Sequence, residues 1–232
     1  MALGLPGCKR EQSTVAAKAA ETREDVPILR TKPGDVWEYR VISELHKADG
    51  SVERREGSRV RRTLNKSEPV PGKGMMDVFE VSEDGQKAEL EFVEIEPEVV
   101  RMRGSQSLRD SRAKPTLLEK GVPLVSAGLR GGEDLPVMHM GTAKAGPDAP
   151  QVTRKLRVIG RERIEVPAGT FDAIKILMTG QEGSEKQGII ELRRTIWFAP
   201  GDGIVREDKE RMFQGKLLLS EQHLLLALNR AK

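Results

Sequence analysis

Cysteine, aromatic residues and long apolar runs are all scarce in this sequence of 232 residues. Cys8 is the single cysteine, which excludes a disulfide within the chain. The longest apolar run, 224–228, is far shorter than the roughly 18 residues that a membrane-spanning helix needs. Aromatic residues make up only 3% of the chain, so we expect a core built mainly from aliphatic side chains.

Charge of one sign does not dominate the sequence. Lysine and arginine number 39 against 36 aspartates and glutamates, and the formal net charge is +3. Basic and acidic residues alternate along most of the chain, whereas a surface that follows a phosphate backbone gathers its cations on one face. We therefore expect no nucleic-acid partner.

Motifs for catalysis and for metal binding are also missing. The sequence has no G-x-S-x-G elbow and no phosphate-binding loop. His46, His139 and His223 lie far apart, and none has metal-ligand spacing with a second histidine or with the cysteine. Met138 and Met140 flank His139 and would suit Cu(I), although packing roles are favoured for both. We predict a protein that is not an enzyme and has no cofactor and no metal site.

The segment Leu5-Pro6-Gly7-Cys8 resembles the lipobox of bacterial lipoproteins, in which the cysteine carries lipid. We interpret residues 1–8 as the end of a signal peptide and 9–25 as a disordered tether, because that stretch is polar and has no strand pattern. This predicts a lipid anchor at Cys8 and a protein of the bacterial envelope that faces the periplasm. The alternative is a cytoplasmic protein with an incidental thiol.

A two-residue alternation of apolar and polar side chains begins after the turn at 32–35. Trp37, Tyr39 and Val41 alternate with Glu38 and Arg40, as in a half-buried strand. Similar segments joined by Gly and Pro turns follow to the end of the chain, and we see no long helix. We predict one all-β domain over 26–232, a curved antiparallel sheet or half-open β-barrel of about 10–12 strands.

Four places depart from the simple rhythm. The arginine-rich stretch 52–64 suits an edge strand, where charge discourages aggregation. The apolar phase switches at Val93, which predicts a bulge. Residues 108–150 are punctuated by proline and glycine, and we expect short strands and long loops there. The leucine-rich segment 217–228 follows a hairpin turn, and its position favours a strand over a helix.

Two turn motifs carry a family resemblance. The segments 165–175, EVPAGTFDAIK, and 195–205, TIWFAPGDGIV, follow an opening strand PGDVWEY at 33–39. The set resembles a family of bacterial envelope proteins with no assigned activity. That family looks related to the half-open barrels of LolA- and LolB-type lipoprotein carriers. The resemblance implies an open, curved sheet, and the motifs themselves indicate tight strand reversals.

These inferences predict a binding module in the envelope. Its ligand would be a lipid, an acyl chain or a lipoprotein partner held in the concave face of the sheet. The residues predicted to contact the ligand are apolar or aromatic: Trp37, Tyr39, Ile174, Ile176, Ile190, Leu192 and Trp197. The alternative is a structural or interaction protein of the envelope, whose concave face is filled by its own core and takes no small molecule.

Overall fold

The structure is a computed structural model that describes residues 28–70, 74–126, 132, 138–139, 151–184 and 188–232. Within these ranges the chain is all β, with twelve strands and no helix, which confirms the predicted fold class. In chain order the strands are β1 (Val36–His46), β2 (Val52–Val70), β3 (Gly74–Glu83), β4 (Gln86–Ile95), β5 (Val99–Ser107), β6 (Thr116–Ser126), β7 (Met138–His139), β8 (Gln151–Val166), β9 (Gly169–Ser184), β10 (Gly188–Ala199), β11 (Gly203–Phe213) and β12 (Lys216–Asn229).

All twelve strands form one antiparallel sheet in the order β6-β5-β4-β3-β2-β1-β12-β11-β10-β9-β8-β7. Each half of the sheet is therefore a meander of sequential hairpins, and the two halves are joined where the first strand pairs with the last. The register there runs from Val36 opposite Asn229 to Leu45 opposite Leu219. The sheet is curved and does not close into a barrel, because its two edges are β6 and β7.

Bulges bend the strands where the apolar phase changes. The predicted bulge at Val93 is confirmed, since the register between β4 and β5 shifts between Phe92 and Val93. A second shift lies between Val158 and Gly160. The strand continues through this glycine, from Gln151 to Val166. Bulges of this kind strengthen twist and help an open sheet to curl.

The prediction that the arginine-rich segment is an edge strand is wrong. It forms β2, which lies inside the sheet between β1 and β3. Its exposed arginines are tolerated there because carboxylates lie next to them, as in the ion pairs of Arg54 with Glu44 and of Arg55 with Glu53. The charges of β2 therefore indicate a solvent-exposed face with ion pairs, and they do not indicate an edge strand.

The region 108–150 is only partly described. Residues 116–126 form β6, a longer strand than the sequence suggests, and Met138–His139 pair with β8. The segment predicted to be a closing strand, 217–228, lies within β12 and confirms the choice of strand over helix. The signal remnant with Cys8, the tether 9–25 and the remaining positions of 108–150 lie outside the described residues. The described ranges contain no helix long and apolar enough to cross a membrane.

The apolar core fills the concave side toward one end of the sheet. It draws buried side chains from both halves, including Trp37, Leu64 and Phe79 from the first half. Ile176, Ile196 and Leu225 come from the second half. The ring of Trp37 contacts that of Phe79 edge-on at 5.6 Å, and its indole N–H donates a hydrogen bond to the Asp202 carbonyl at 2.6 Å. At this end of the sheet, side chains of the protein itself fill the concave side.

Candidate functional site

A charged chamber lies on the concave face beside the apolar core. The inward row of β10 shows the change along one strand, because it passes from Ile196, which is 1% exposed, to Arg194. On β11 the inward row changes in the same way, from Val205 to Glu207 and then Lys209. The interior of the sheet therefore has an apolar floor and an ionic layer next to it.

The chamber has a volume of about 100 Å³ and receives side chains from both halves of the sheet. Apolar residues frame it, and ionisable residues occupy much of its wall. The lining residues are Tyr39, Val60, Arg62, Val81, Glu83, Glu89, Glu91, Met102, Leu124, Arg194, Ile204, Glu207, Lys209 and His223.

Two largely buried ion pairs neutralise most of the charge, with exposed side-chain fractions from 8% for Glu207 to 28% for Arg194. On the wall formed by β2 and β4, Arg62 pairs with Glu91. The guanidinium of Arg62 also lies over the Phe79 ring, 4.6 Å from its centroid. On the wall formed by β10 and β11, Arg194 pairs with Glu207. Each pair joins strands of one wall, so each wall carries its own arginine and carboxylate.

Lys209 and Glu89 are charged residues of the chamber that belong to neither pair. The Lys209 ammonium lies 3.5 Å from Glu207, whose carboxylate is already engaged by Arg194. Glu89 is half-buried and within ion-pair or hydrogen-bond distance of no side chain in the described part of the chain, although the charges of Lys209 and Arg62 attract it. The two residues stand on β11 and β4, on opposite walls.

The chamber opens to water at one end. The side chain of Glu83 is 50% exposed and that of Lys209 is 36% exposed, whereas that of Glu207 is only 8% exposed. The imidazole of His223 is buried, and its Nε2 atom has no hydrogen-bond partner although it lines the cavity. A solute could therefore reach the ionic layer from the rim.

Burial shifts the pKa values of the cationic wall. Burial, reinforced by repulsion from Arg194, lowers the pKa of Lys209 to about 8. Burial also lowers the pKa of Arg194 to about 10, although the charge of Glu91 partly opposes this. The pKa of His223 is lowered as well, because burial outweighs its pairing with Glu221. On this wall the protonated forms are less favoured than in water.

On the opposite wall the acidic and phenolic groups shift upward. Burial, together with the neighbouring charge of Glu91, raises the pKa of Glu89. Burial raises the pKa of Tyr39 to about 12. The Tyr39 hydroxyl donates a hydrogen bond to the Ile204 carbonyl at 2.8 Å, so this phenol is neutral and fixed.

Most of the aromatic and apolar residues predicted to contact a ligand lie in the packed floor. Trp37 is 2% exposed, Ile174 4% and Ile176 1%, and all three belong to the main core. Tyr39 is also in this core, but it lines the charged chamber. The structure thus brings these four residues together on the concave face, where other protein side chains cover them.

Ile190 and Leu192 lie farther along the same row of β10, beyond Arg194. Both are half-buried and lie outside the main core. Leu192 lines a groove of about 350 Å³ together with Arg154 and Gly180. These two predicted residues therefore belong to neither the floor nor the chamber.

Trp197 lies on the convex face, away from the chamber. Its cross-strand neighbours there are Lys175 and Arg206, whose cationic groups lie 4.9 and 4.5 Å from the ring centroid. The indole N–H donates a hydrogen bond to Glu162. The ring is 5% exposed, so its neighbours cover it and it offers little free surface.

The chamber residues Arg62, Glu91, Arg194, Glu207 and Lys209 were missed in the sequence. The signal that could have found them is charge in the inward phase of an otherwise apolar row, as in Ile190-x-Leu192-x-Arg194-x-Ile196. Among the described residues no cluster of three or more His, Cys, Asp or Glu side chains could hold a metal ion.

Comparison with known proteins supports the fold. Residues 123–224, less than half of the chain, match the model of a family described as DUF3108-like. The structure is similar to a Bacteroides fragilis protein described as exported with a YmcC-like fold, with a TM-score of 0.54. That protein is 14% identical, and the match covers 88% of this chain and 100% of the other.

A second structure, from Parabacteroides distasonis and described as a lipoprotein, gives a TM-score of 0.47 and 16% identity. It covers 89% of this chain and 100% of the other. No curated protein matches the sequence. The class defined by these findings is an open, curved antiparallel sheet of the YmcC-like kind, and both turn motifs lie within the DUF3108-like match.

Proposed function

We propose that this chain is a non-enzymatic protein of the bacterial cell envelope that binds its ligand in the charged chamber of the concave face. The single observation that carries the proposal is the ionic layer around a cavity of about 100 Å³. Buried ion pairs rarely add net stability, because desolvation offsets their attraction. A cluster of buried ionisable groups with shifted pKa values beside a cavity therefore favours a binding role.

The geometry favours a polar ligand group over an acyl chain. Pockets that enclose drug-sized apolar ligands span roughly 300–1,000 Å³, and the chamber is much smaller. The floor has little room for a chain, since Trp37, Ile174 and Ile176 are already covered by protein. A lipid could still bind through its head group, with its chains outside the chamber.

Export of the protein is supported by two observations. The lipobox-like setting of Cys8 suits a lipid anchor. The Bacteroides fragilis protein of similar fold is described as exported. Expression of the gene with its upstream sequence in a bacterial host tests this: the protein should fractionate with membranes, and Cys8→Ser should release it. A wild-type protein that stays in the cytosol would contradict the envelope assignment.

Native mass spectrometry tests ligand binding. Protein purified gently from envelopes should carry a bound small molecule. Met102→Trp should abolish it, because Met102 lines the chamber and the larger ring fills it. Met75→Trp is the matched control, since Met75 is 58% exposed and outside the chamber. The proposal fails if wild type and control carry no small molecule, or if Met102→Trp retains it.

The packed floor favours a second candidate, a structural or interaction protein of the envelope without a small-molecule ligand. Its core would serve only to hold the sheet in shape, and the ion pairs would fix the curvature. Empty wild-type protein in the native spectra, together with an unchanged phenotype for Met102→Trp, would favour this candidate.

A further inference from the structure

We infer that the chamber binds a small zwitterion, with its acidic group against Lys209 and Arg194 and its ammonium group against Glu89. The inference rests on the proposed function and names the ligand class of the same site. It covers both free zwitterions, such as amino acids or phosphoethanolamine, and the same chemistry carried on a lipid head group.

Two charges of the chamber lie outside its two arginine–carboxylate pairs. Arg62 with Glu91 and Arg194 with Glu207 form two internally neutral pairs. Lys209 then adds one positive charge and Glu89 one negative charge on opposite walls of the same cavity, and the charges of Glu221 and of these two residues on each other offset them only at a distance. The two side chains do not form an ion pair with each other within the described structure. A solute with both charges would neutralise each of them, whereas a simple anion or cation would neutralise only one.

Unused hydrogen-bonding capacity points the same way. An ammonium group has three donors, and among the described residues that of Lys209 has one carboxylate within ion-pair distance, Glu207 at 3.5 Å. The Glu89 carboxylate can accept several hydrogen bonds and has none from described side chains. The buried Nε2 atom of His223, which also lines the cavity, has no hydrogen bond and only a distant ion-pair contact with Glu221 at 4.0 Å. Lys209 and Glu89 are only half-buried and can be hydrated, so a ligand must replace that water with charge-assisted hydrogen bonds, which are the stronger kind.

Size and access limit the ligand. A cavity of about 150 Å³ accommodates the six heavy atoms of benzene, so the chamber of about 100 Å³ encloses a group of roughly four heavy atoms. An aminoethyl group is of this size, and the acidic group it carries then lies toward the open rim. Because Lys209 and Glu83 are partly exposed at the rim, any remaining part of a larger ligand can extend into solvent.

Calorimetry with O-phosphoethanolamine, inorganic phosphate and ethanolamine tests the inference on the full chain. The zwitterion should bind at least about 10-fold more tightly than either singly charged probe. Lys209→Met and Glu89→Gln should each weaken it by about 10-fold. Lys87→Met and Glu80→Gln are matched controls, because these residues pair with each other at 2.6 Å outside the chamber and should leave binding unchanged.

Glu89→Gln should fold normally, since it conserves the shape of a side chain that has no ion pair. Its effect on binding therefore does not come from loss of folding. Inorganic phosphate binding as tightly as O-phosphoethanolamine would overturn the inference, as would unchanged zwitterion affinity in Glu89→Gln. Vesicles containing phosphatidylethanolamine, compared with phosphatidylglycerol alone, distinguish the two sources. Retention on the former supports a lipid head group, and binding of the soluble probe without retention supports a free zwitterion.

The native mass spectra separate this inference from the proposed function. A ligand lost in Met102→Trp that carries no zwitterionic group would overturn the zwitterion and leave the chamber as the binding site. If no ligand copurifies and no probe binds, both proposals fail.

Discussion

The guanidinium of Arg230 lies 3.0 Å from the carboxylate of Asp35 and ties the segment after β12 to the turn before β1. The same guanidinium donates hydrogen bonds to the carbonyls of Arg30 and Gly201 and lies 5.4 Å from the centre of the Trp37 ring. Asp35 is 1% exposed. Burial opposes its ionisation, but backbone N–H groups of Ala231 and Lys32 and the charge of Arg230 outweigh this and lower its pKa.

Replacing Arg230 should therefore leave a buried carboxylate without its cation. We expect Arg230→Met to lower the free energy of unfolding by about 1–2 kcal/mol, because Asp35 is buried but solvent screens the partly exposed Arg230. Urea unfolding followed by circular dichroism measures this. Lys232→Met is the control, because that residue is exposed at the same end of the chain. A loss equal to that of the control would show that Asp35 is satisfied by its backbone hydrogen bonds alone.

The amine of Lys209 should titrate near neutral pH. Its pKa of about 8 lies below the ordinary lysine value, because burial and Arg194 disfavour the charged form. Reductive methylation with ¹³C-labelled formaldehyde and NMR titration should show one lysine with a midpoint near 8, and Lys209→Met should remove it. Lys87 provides the internal control, since its side chain is 66% exposed. A single midpoint for all lysines near 10 would contradict the prediction.

His223 should make the protein less stable in mild acid. Its folded-state pKa is lowered, so the unfolded chain binds more protons as pH falls below about 6.5. Its contribution to stability is thus present above that pH and is lost as pH falls through the folded-state pKa. Lys209 and Arg194 oppose its protonation, whereas Glu221, at 4.0 Å, favours it.

Urea unfolding at several pH values between 5 and 8 measures the effect. His223→Leu should reduce the slope of unfolding free energy against pH by up to about 1.4 kcal/mol per unit, the value for one proton. His46→Leu is the control, because His46 lies on β1 near its turn and outside the chamber. Identical slopes for wild type and His223→Leu would refute the prediction.

The cations around Trp197 should stabilise the convex face. Arg206 lies 4.5 Å from the ring centroid and is held by Asp208 at 2.6 Å. Arg206→Met should lower the free energy of unfolding by about 1 kcal/mol, the usual size of such an interaction. Arg193→Met, on the same face, breaks only an exposed pair with Glu210 and should change it by less than about 0.5 kcal/mol. Equal effects of the two substitutions would contradict the stacking argument.

The strands could be predicted because one face of each packs on the apolar core, which requires apolar and polar residues to alternate. Trp37 and Tyr39 alternate with Glu38 and Arg40, and only a pleated strand places such a set on one face. Gly and Pro mark the reversals, and the phase switch at Val93 is visible as a local change in pattern. These signals are local, so sequence alone carries them.

The chamber could not be predicted because it depends on which strands face each other. Arg62 and Arg194 look like solvated charges in the sequence, and their partners Glu91 and Glu207 stand in other strands. The same ambiguity made β2 look like an edge strand. The sequence also predicts Trp197 as a concave residue, because an aromatic side chain can be buried on either face of a strand and its residue type does not show which face is concave.

The order of strands also sets how the sheet can assemble. Apart from the pairing of β1 with β12, every neighbouring pair of strands is a sequential hairpin. Hairpins close short loops at a small entropic cost, whereas joining β1 to β12 closes a loop of nearly the whole chain. Rapid formation of two meanders followed by one slow docking step is the expected kinetic sequence, since folding slows as contacts become more distant along the chain. The Trp37 and Arg230 contacts lie at that final junction and would report on its formation.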